Sequence, residues 1–477
     1  MAIQRVIVAG AGLAGLVTAF ELARARMAVT ILEARDRVGG RMWTRRTPFV
    51  DGAFGELGAE FIDEDHQRMR DLTSRFGIDL VRVLRRGFTQ RYRGDAGRFE
   101  VSRASAWQDL RQVLAPLVHE YNAAHGAPDA VRVRELSTFS VREWLRRRHA
   151  SPRVHGIADA MRGFFLADPE DLSALPLAAE LSQGESPAQT PIYRIAGGND
   201  RLLDALIKVT PANMLLRHRL RAIHHATDRV ICTVVDDRGT QRELDADALV
   251  VTLPATALTD VSITPPLPEP QWRAIRSLRY GCVTKAVVQT DADVFSGRPA
   301  RAFATDTHAG AFWDASEGQS FDAAQDGCFD SAQGGSFDPA QDRSFDPAQD
   351  RSFDAAQDRR GSSRGVVSFL AGGSASSELA ARLRDGADAL LSDLCWLRRG
   401  GASVHGVAHA SHSWERDPFA RGGYAYLDPA FDPAWLPLLG RRAGRLFFAG
   451  EHTSQDYQGY MEGALDSAER VVRELRS

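Results

Sequence analysis

The sequence predicts an α/β fold that opens with a Rossmann-like nucleotide cradle, on three observations. Residues Val6 to Gly15 read VIVAGAGLAG, a short β-branched run entering three glycines at GxGxxG spacing. An apolar helix-like stretch of about a dozen residues follows, and the next strand-like run, Val29 to Leu32, ends in the acid Glu33. Near the other end of the chain, Leu446 to Gly450 repeats the logic of an apolar strand, a glycine and a helix-like segment.

Each glycine of the cradle has a mechanical task. Gly10 allows the tight turn, Gly12 lets the backbone approach a pyrophosphate, and Gly15 lets helix and strand pack closely. The helix N-terminus offers unpaired N–H groups and partial positive charge to phosphates. Glu33 stands eighteen residues after Gly15, where an acid accepts hydrogen bonds from ribose hydroxyls. The cradle by itself leaves NAD and FAD open.

At 477 residues the chain is long enough for two domains or more. Its 44% hydrophobic and 25% charged residues describe a soluble globular protein. The net charge of −3 removes the electrostatic case for nucleic acid. No apolar run approaches a membrane span, and the N-terminus runs directly into the first strand, so a cytoplasmic protein is expected. The four cysteines lack CxxC or Cys/His spacing and predict neither a disulfide framework nor a metal site. Of 59 basic residues only Lys208 and Lys285 are lysine, so each lysine invites a reason.

In chain order, Phe54 to His66 reads as a glycine-punctuated turn entering a helix, with Asp63 as N-cap and Glu64 and Asp65 in the first turn. Glu60, just before it, is a candidate to attract a cationic substrate. Residues 80 to 190 read mostly as helix, as at Trp107 to Tyr121 and Val141 to Arg148. Their arginine-dense part, Arg82 to Arg98, reads as a solvated charged face that could alternatively receive a carboxylate. Tyr193 to Leu203 opens another helix through Gly197 and Gly198. The strand-like runs Leu215 to Ile223, Arg229 to Val235 and Ala248 to Leu253 then suggest a return to the first sheet.

Tyr280 to Gln289 reads as a strand whose period of two puts Val283, Lys285 and Val287 on one face. A lysine between two valines is a snorkelling edge residue or a placed amine; unlike arginine, it can titrate when buried. Between Ser320 and Arg360, FDxAQ recurs five times at a period of eight, from Phe321 to Phe353. That period matches neither a helical stripe nor a solenoid unit, and the segment reads as a disordered tandem expansion in a surface hairpin between Gly310 to Asp314 and Gly365 to Leu370. The last third carries RGGYAY from Arg421 to Tyr426, FFAGE ending at Glu451, and GYMEGA from Gly459, which runs into an amphipathic helix.

Together these motifs resemble the flavin-dependent amine oxidases, the group of monoamine oxidases, polyamine oxidases and L-amino-acid oxidases. The resemblance covers the chain apart from the repeat and rests on separated motifs in the family's order: GAGLAG, ILEARDRVGGR, GELGAEF, YRIAGGNDRL, ITPPLP, the Tyr280 to Lys285 strand, FFAGE and GYMEGA. It implies an FAD-binding domain assembled from residues 1–79, 193–275 and 413–477. A substrate domain of helices on a mixed sheet would come from 80–192 and 276–412.

It further implies that Gly10, Gly12 and Gly15 cradle the pyrophosphate, Glu33 the adenosine ribose, and Arg41 the phosphates or nearby flavin ring. Leu220 would meet the adenine end, Gly450 and Glu451 the ribityl-phosphate region, and the backbone N–H of Met461 the flavin pyrimidine edge. Lys285 matches the family lysine that holds a water near flavin N5, and Tyr460 one of two substrate-flanking tyrosines.

Two departures matter. Tyr424 stands where monoamine oxidases carry a flavin-tethering cysteine, so FAD is expected to be non-covalent. Ala425 replaces the second tyrosine, which opens the pocket formed with Tyr424, Tyr426 and Glu60. The implied reaction oxidises a small-molecule amine to an imine, hydrolysed to aldehyde or ketone, with O2 reduced to hydrogen peroxide. Alternatives are an L-amino-acid oxidase, which would need an arginine facing the flavin, a dehydrogenase with another acceptor, and a flavin-binding scaffold. No metal, nucleic acid or membrane partner is implied, and no oligomeric state follows.

Overall fold

The β-branched run Arg5–Ala9 becomes the middle strand of a five-stranded parallel sheet in the computed structural model, which describes residues 3–94, 97–102, 105–182, 191–319, 364–397 and 403–477. Ala28–Leu32 and Ala248–Val251 flank it, and Asn213–Leu215 and Leu446–Phe448 form the edges. Such a sheet must be covered on both faces, and the alternation of the first strand shows how. Val6 and Val8 point into a core shared with the helices Leu13–Arg24 and Met461–Arg476. Ile7 and Ala9 point into a second core with Leu249, Val251, Leu446 and Phe448.

That second core corrects one expectation. Of the strand-like runs Leu215 to Ile223, Arg229 to Val235 and Ala248 to Leu253, only the last, as Ala248–Val251, and Leu215, at the end of Asn213–Leu215, join the parallel sheet. His218–His225, Val230–Asp236 and Gln241–Ala246 form a separate antiparallel meander, extended by Ser262–Thr264. Antiparallel neighbours need only a short turn, whereas a parallel return needs a crossover, and the links between these strands are short.

A seven-stranded mixed sheet holds the other half. Its order is Gly406–Ser413, Val283–Thr290, Gly365–Gly372, Ala311–Asp314, Ala302–Thr305, Thr89–Arg93 and Phe99–Ser102. Only the Ala302–Thr305 and Thr89–Arg93 pair is parallel. Helices Ser105–Ala123, Val131–Ser137, Val141–Arg147, Pro152–Ala160 and Ala174–Ser182 pack around a core of Leu110, Leu114, Leu145, Ile157 and Leu177. The expected hairpin is present, since Ala311 to Asp314 pair with Leu370 to Val367. The repeat, expected to be disordered, lies outside the described residues.

Two more expectations change. The part from 80 to 190, read mostly as helix, opens with strands, Leu80–Val83 and Thr89–Arg93, which carry arginines of the dense stretch; pairing with Ile192–Ile195 and with Ala302–Thr305 overrides local composition. Asp63 is not an N-cap. It ends the short strand Ile62–Asp63, and the helix Gln67–Arg75 begins behind His66, whose Nδ1 accepts the Asp63 N–H at 3.0 Å. Among the described residues no helix is long and apolar enough to cross a membrane.

Candidate active site

Every residue singled out above as a site candidate, except Gly15, lines one cavity of about 1280 Å³. Gly15 sits behind its wall, where a Cβ would lie 1.9 Å from the Gly10 carbonyl oxygen; this is the close packing of helix on strand. Gly10 has φ +111°, and a Cβ there would meet Thr252 Oγ1 at 2.5 Å. At Gly12 the same test finds nothing within 4 Å. Gly12 also N-caps Leu13–Arg24 without a side-chain bond, so the free N–H groups of that helix end open onto the cavity. Glu33 is buried, with one oxygen accepting the Ala11 N–H and the other the Arg35 N–H, each at 2.9 Å. Leu220 lies on the wall next to the bulge of its strand.

Along the middle of the cavity, Arg41 Nη1 donates to Glu451 Oε1 at 2.7 Å and to the Gly423 carbonyl at 2.5 Å. The other Glu451 oxygen accepts the Gly459 N–H at 2.9 Å. Gly450 turns the strand Leu446–Phe448 away with φ +130°, its N–H held by Ser467 Oγ at 2.9 Å. Met461 starts a 16-residue helix whose N-cap, Tyr460, supplies no side-chain bond. A second helix N-terminus thus faces the same space.

Beyond it lies Lys285, 2% exposed on a strand buried along its whole length. Its Nζ donates to the Gly58 carbonyl at 2.9 Å and to Glu60 Oε2 at 2.6 Å, and sits 5.2 Å from the centre of the Trp313 ring. Glu60 Oε1 accepts from Arg194 Nη1 at 2.9 Å and from Trp313 Nε1 at 3.0 Å. Burial alone would raise the Glu60 pKa, but Lys285 and Arg194 outweigh it and hold the carboxyl below its usual range. Glu60 therefore lines the cavity with both oxygens already engaged, which changes its reading as a free receptor for a cationic substrate. Glu56, fully enclosed nearby, is pushed up to about 7 by burial and by Glu60, against the bonds it accepts from the Asn199 N–H and the Thr44 hydroxyl.

The remaining wall is aromatic and acidic. Tyr460 is 49% exposed, all the same enclosed by the cavity walls; burial, then Glu180 and Asp63, push its phenol well above the ordinary value. Its ring stands 5.0 Å from that of His66. The Tyr424 hydroxyl donates to the Phe164 carbonyl, and Ala425 and Tyr426 continue the wall on a strand paired with Arg279–Tyr280. Burial and Asp63 push Glu180 up to about 7; burial and Asp65 push Asp63 up to about 6. The stretch 82–98 reaches this wall through Gly87, Phe88 and Gln90, and none of its arginines does.

Sequence reasoning missed Glu56, Glu180, Arg194 and Trp313. Arg194 had a signal, being a lone charge inside the apolar run Ile192 to Ala196 of a strand. Glu56 and Trp313 had none, because their neighbours come from distant segments.

The cavity exceeds the roughly 300–1,000 Å³ of a single-ligand pocket, so it has room for a dinucleotide and a second small molecule. A glycine cradle, two uncapped helix ends and a buried acid at ribose distance in sequence are the donor and acceptor set that an FAD requires. Comparison with known proteins agrees. The flavin containing amine oxidoreductase family matches residues 13–476. A putative flavin-containing monoamine oxidase, AofH, of Mycobacterium tuberculosis is 27% identical over 98% of this chain and 96% of its own. An L-amino-acid oxidase of Echis ocellatus is 24% identical over 98% of this chain and 88% of its own. The solved cyclohexylamine oxidase from Brevibacterium oxydans superposes with a TM-score of 0.78 at 19% identity, over 100% of this chain and 99% of that one.

Proposed function

The chain belongs to the flavin-containing amine oxidoreductase family and is an enzyme acting on amine donors; from that premise we propose that it binds FAD non-covalently and oxidises a small cationic amine at the Lys285 end of the cavity, with O2 as electron acceptor. The observation that carries this reading is the continuity of one cavity from the Gly10–Gly12 cradle to Lys285 and Tyr460.

Gly10 and Gly12, backed by Gly15, would hold the pyrophosphate, Glu33 the ribose, Leu220 the adenine side, and Arg41, Gly450 and Glu451 the linker to the flavin. The N-terminus of the Met461 helix would stabilise negative charge on the flavin pyrimidine edge. The bound flavin supplies chemistry no side chain here can, taking a hydride equivalent from the carbon beside the amine and passing its electrons to O2 to give hydrogen peroxide. Lys285 has three N–H donors; two are engaged with Gly58 and Glu60, and the third is available to orient a cavity water. Tyr460 flanks the substrate. The substrate nitrogen must lose its proton before the adjacent carbon gives up hydride easily, so turnover rises with pH.

An L-amino-acid substrate is the weaker reading. Among the described residues no arginine from 82–98 lines the cavity, and Asp63, Asp65 and Glu180 at the substrate end would repel a carboxylate while favouring an ammonium. Non-covalent attachment is supported by Tyr424 at the tethering position; acid precipitation is expected to release all the flavin, and flavin left on the protein would overturn it. The proposed FAD-binding pieces, 1–79, 193–275 and 413–477, each supply strands to the parallel sheet. A cytoplasmic setting is supported by Cys282 and Cys395, which are exposed free thiols.

The test is anaerobic mixing of the holoenzyme with monoamines, polyamines and L-amino acids, followed by admission of air. Amines are expected to bleach the flavin and air to restore it with hydrogen peroxide. Bleaching by L-amino acids alone would replace the substrate reading, and flavin that no amine bleaches would overturn it.

A further inference from the structure

A lysine that acts in a reaction must be held in one place and one charge state. Lys285 lies level with Leu370 and His412 on the adjacent strands, and its Nζ meets a carboxylate 225 positions away in sequence at 2.6 Å. Both oxygens of that carboxylate are engaged, one by Lys285 and the other by Arg194 and Trp313. Three donors, Lys285, Arg194 and Trp313, already converge on the Glu60 carboxylate, and side-chain exposure is 3% for both Lys285 and Glu60. Trp313, which bonds Glu60, also lays its ring beside the Lys285 ammonium. Arg194 is in turn fixed by the Ala315 and Glu317 carbonyls.

We propose that Glu60 is a positioning residue for Lys285: clamped by Arg194 and Trp313, it fixes the Lys285 Nζ so that one N–H is directed to the cavity. The assignment rests on the amine-oxidising reading above for its catalytic consequence, but the clamp itself is a property of the chain. The balance of charge favours it. Lys285 and Arg194 carry two positive charges against one on Glu60, and two further titratable groups face them, Glu56 toward Lys285 and Glu317 toward Arg194. His412 is the cross-strand neighbour of Lys285, and it is turned to Asp417. Removing the Glu60 charge takes away the one carboxylate that Lys285 and Arg194 share and leaves the Gly58 carbonyl as the hydrogen-bond acceptor of the Lys285 Nζ.

The composition of the chain makes the test direct. Lys208 and Lys285 are the only lysines, and Lys208 is exposed on the helix Asp200–Val209. Lysine labelled with 15N therefore gives two side-chain signals, one an internal control. In the wild-type holoenzyme the Lys285 side-chain signal is expected to be protected from exchange with solvent while that of Lys208 exchanges freely. In Glu60→Gln the Lys285 signal is expected to shift and to lose that protection. Anaerobic flavin reduction should slow about tenfold to a hundredfold, the scale of a misplaced catalytic group. Glu60→Asp should keep part of the protection and recover part of the rate. In a Lys285→Met background, Glu60→Gln should change the rate no further.

A Lys285 signal and a reduction rate unchanged in Glu60→Gln would overturn the proposal, as would a full additional loss in the Lys285→Met background. Should Glu60→Gln lose its flavin, recovery of flavin binding in the Glu60→Gln, Lys285→Met double variant supports the clamp, and a double variant equally empty overturns it. A wild-type flavin that no amine bleaches would overturn the functional reading, while the exchange protection of the Lys285 signal would still judge the clamp.

Discussion

The two ends of the cavity are built in opposite ways. The cradle end is made of backbone: consecutive residues from Gly10 to Gly15, a helix terminus and one acid bonded to main-chain N–H groups. The Lys285 end is made of side chains from four separate segments, at Gly58 to Glu60, Arg194, Lys285 and Trp313, with charges that compensate one another. A backbone site tolerates neighbouring substitutions but not a filled glycine. A side-chain site fails when one charge is removed, because the partner is left buried and unpaired.

The largest effect should come from the side-chain end. Lys285→Met is expected to retain flavin, because Glu60 keeps Arg194 and Trp313, and to slow anaerobic flavin reduction or aerobic reoxidation by about a hundredfold or more. Stopped-flow kinetics unchanged from wild type would remove Lys285 from the mechanism.

At the backbone end, two glycines should separate binding from folding. A Cβ at Gly12 meets nothing within 4 Å, and Gly12→Ala is expected to fold with a near-normal melting temperature while losing flavin. Gly15→Ala pushes a Cβ to 1.9 Å from a carbonyl oxygen and is expected to lower stability whether or not flavin is present, by about 1–3 kcal/mol or more. Flavin content and thermal unfolding, measured together, sharpen the contrast. Equal behaviour of the two variants would break it.

A smaller effect is expected from Glu56. Its folded pKa of about 7 lies above the ordinary carboxyl value because of burial first and Glu60 next. The folded state therefore binds more protons than the unfolded state between roughly pH 4.5 and 7. Stability from this group is present at the acid end of that window and is lost as pH rises through it. Glu56→Gln should flatten that decline and add about 3 kcal/mol at most above pH 7. A pH–stability curve parallel to wild type would reject the assignment.

The smallest effect should be at Glu180. Its carboxyl, raised to about 7 by burial and Asp63, is charged only above that pH. Glu180→Gln is expected to raise KM for a diamine a few-fold above pH 7 and to leave it nearly unchanged below, with kcat little affected. An equal change at both pH values would show that the Glu180 charge does not receive the substrate.

The legibility of the molecule follows the same division. The parallel strands at Arg5–Ala9 and Leu446–Phe448 and the long amphipathic helix at the C-terminal end were readable because short apolar runs and helical periodicity are local signals. The meander from His218 to Ala246 was read into the wrong sheet, since a strand's composition says that it pairs and not with which partner. The strands at Leu80–Val83 and Thr89–Arg93 were hidden by their arginines for a related reason: apart from the nearby Phe99–Ser102, their partners lie about a hundred positions or more away. Asp63 was misplaced because a capping signature and a strand end look alike when the neighbouring strand is unknown.

By itself, the sequence determined the nucleotide cradle, the order of the family motifs and the identity of Lys285 as the lysine that needs a reason. Those features rest on backbone conformation and residue rarity, which a linear chain displays. The tertiary structure alone decided what Lys285 touches, that Glu60 is engaged by Arg194 and Trp313, and that no arginine of 82–98 lines the cavity among the described residues. Sheet register and packing set those contacts, and register depends on pairing between segments that the sequence keeps far apart.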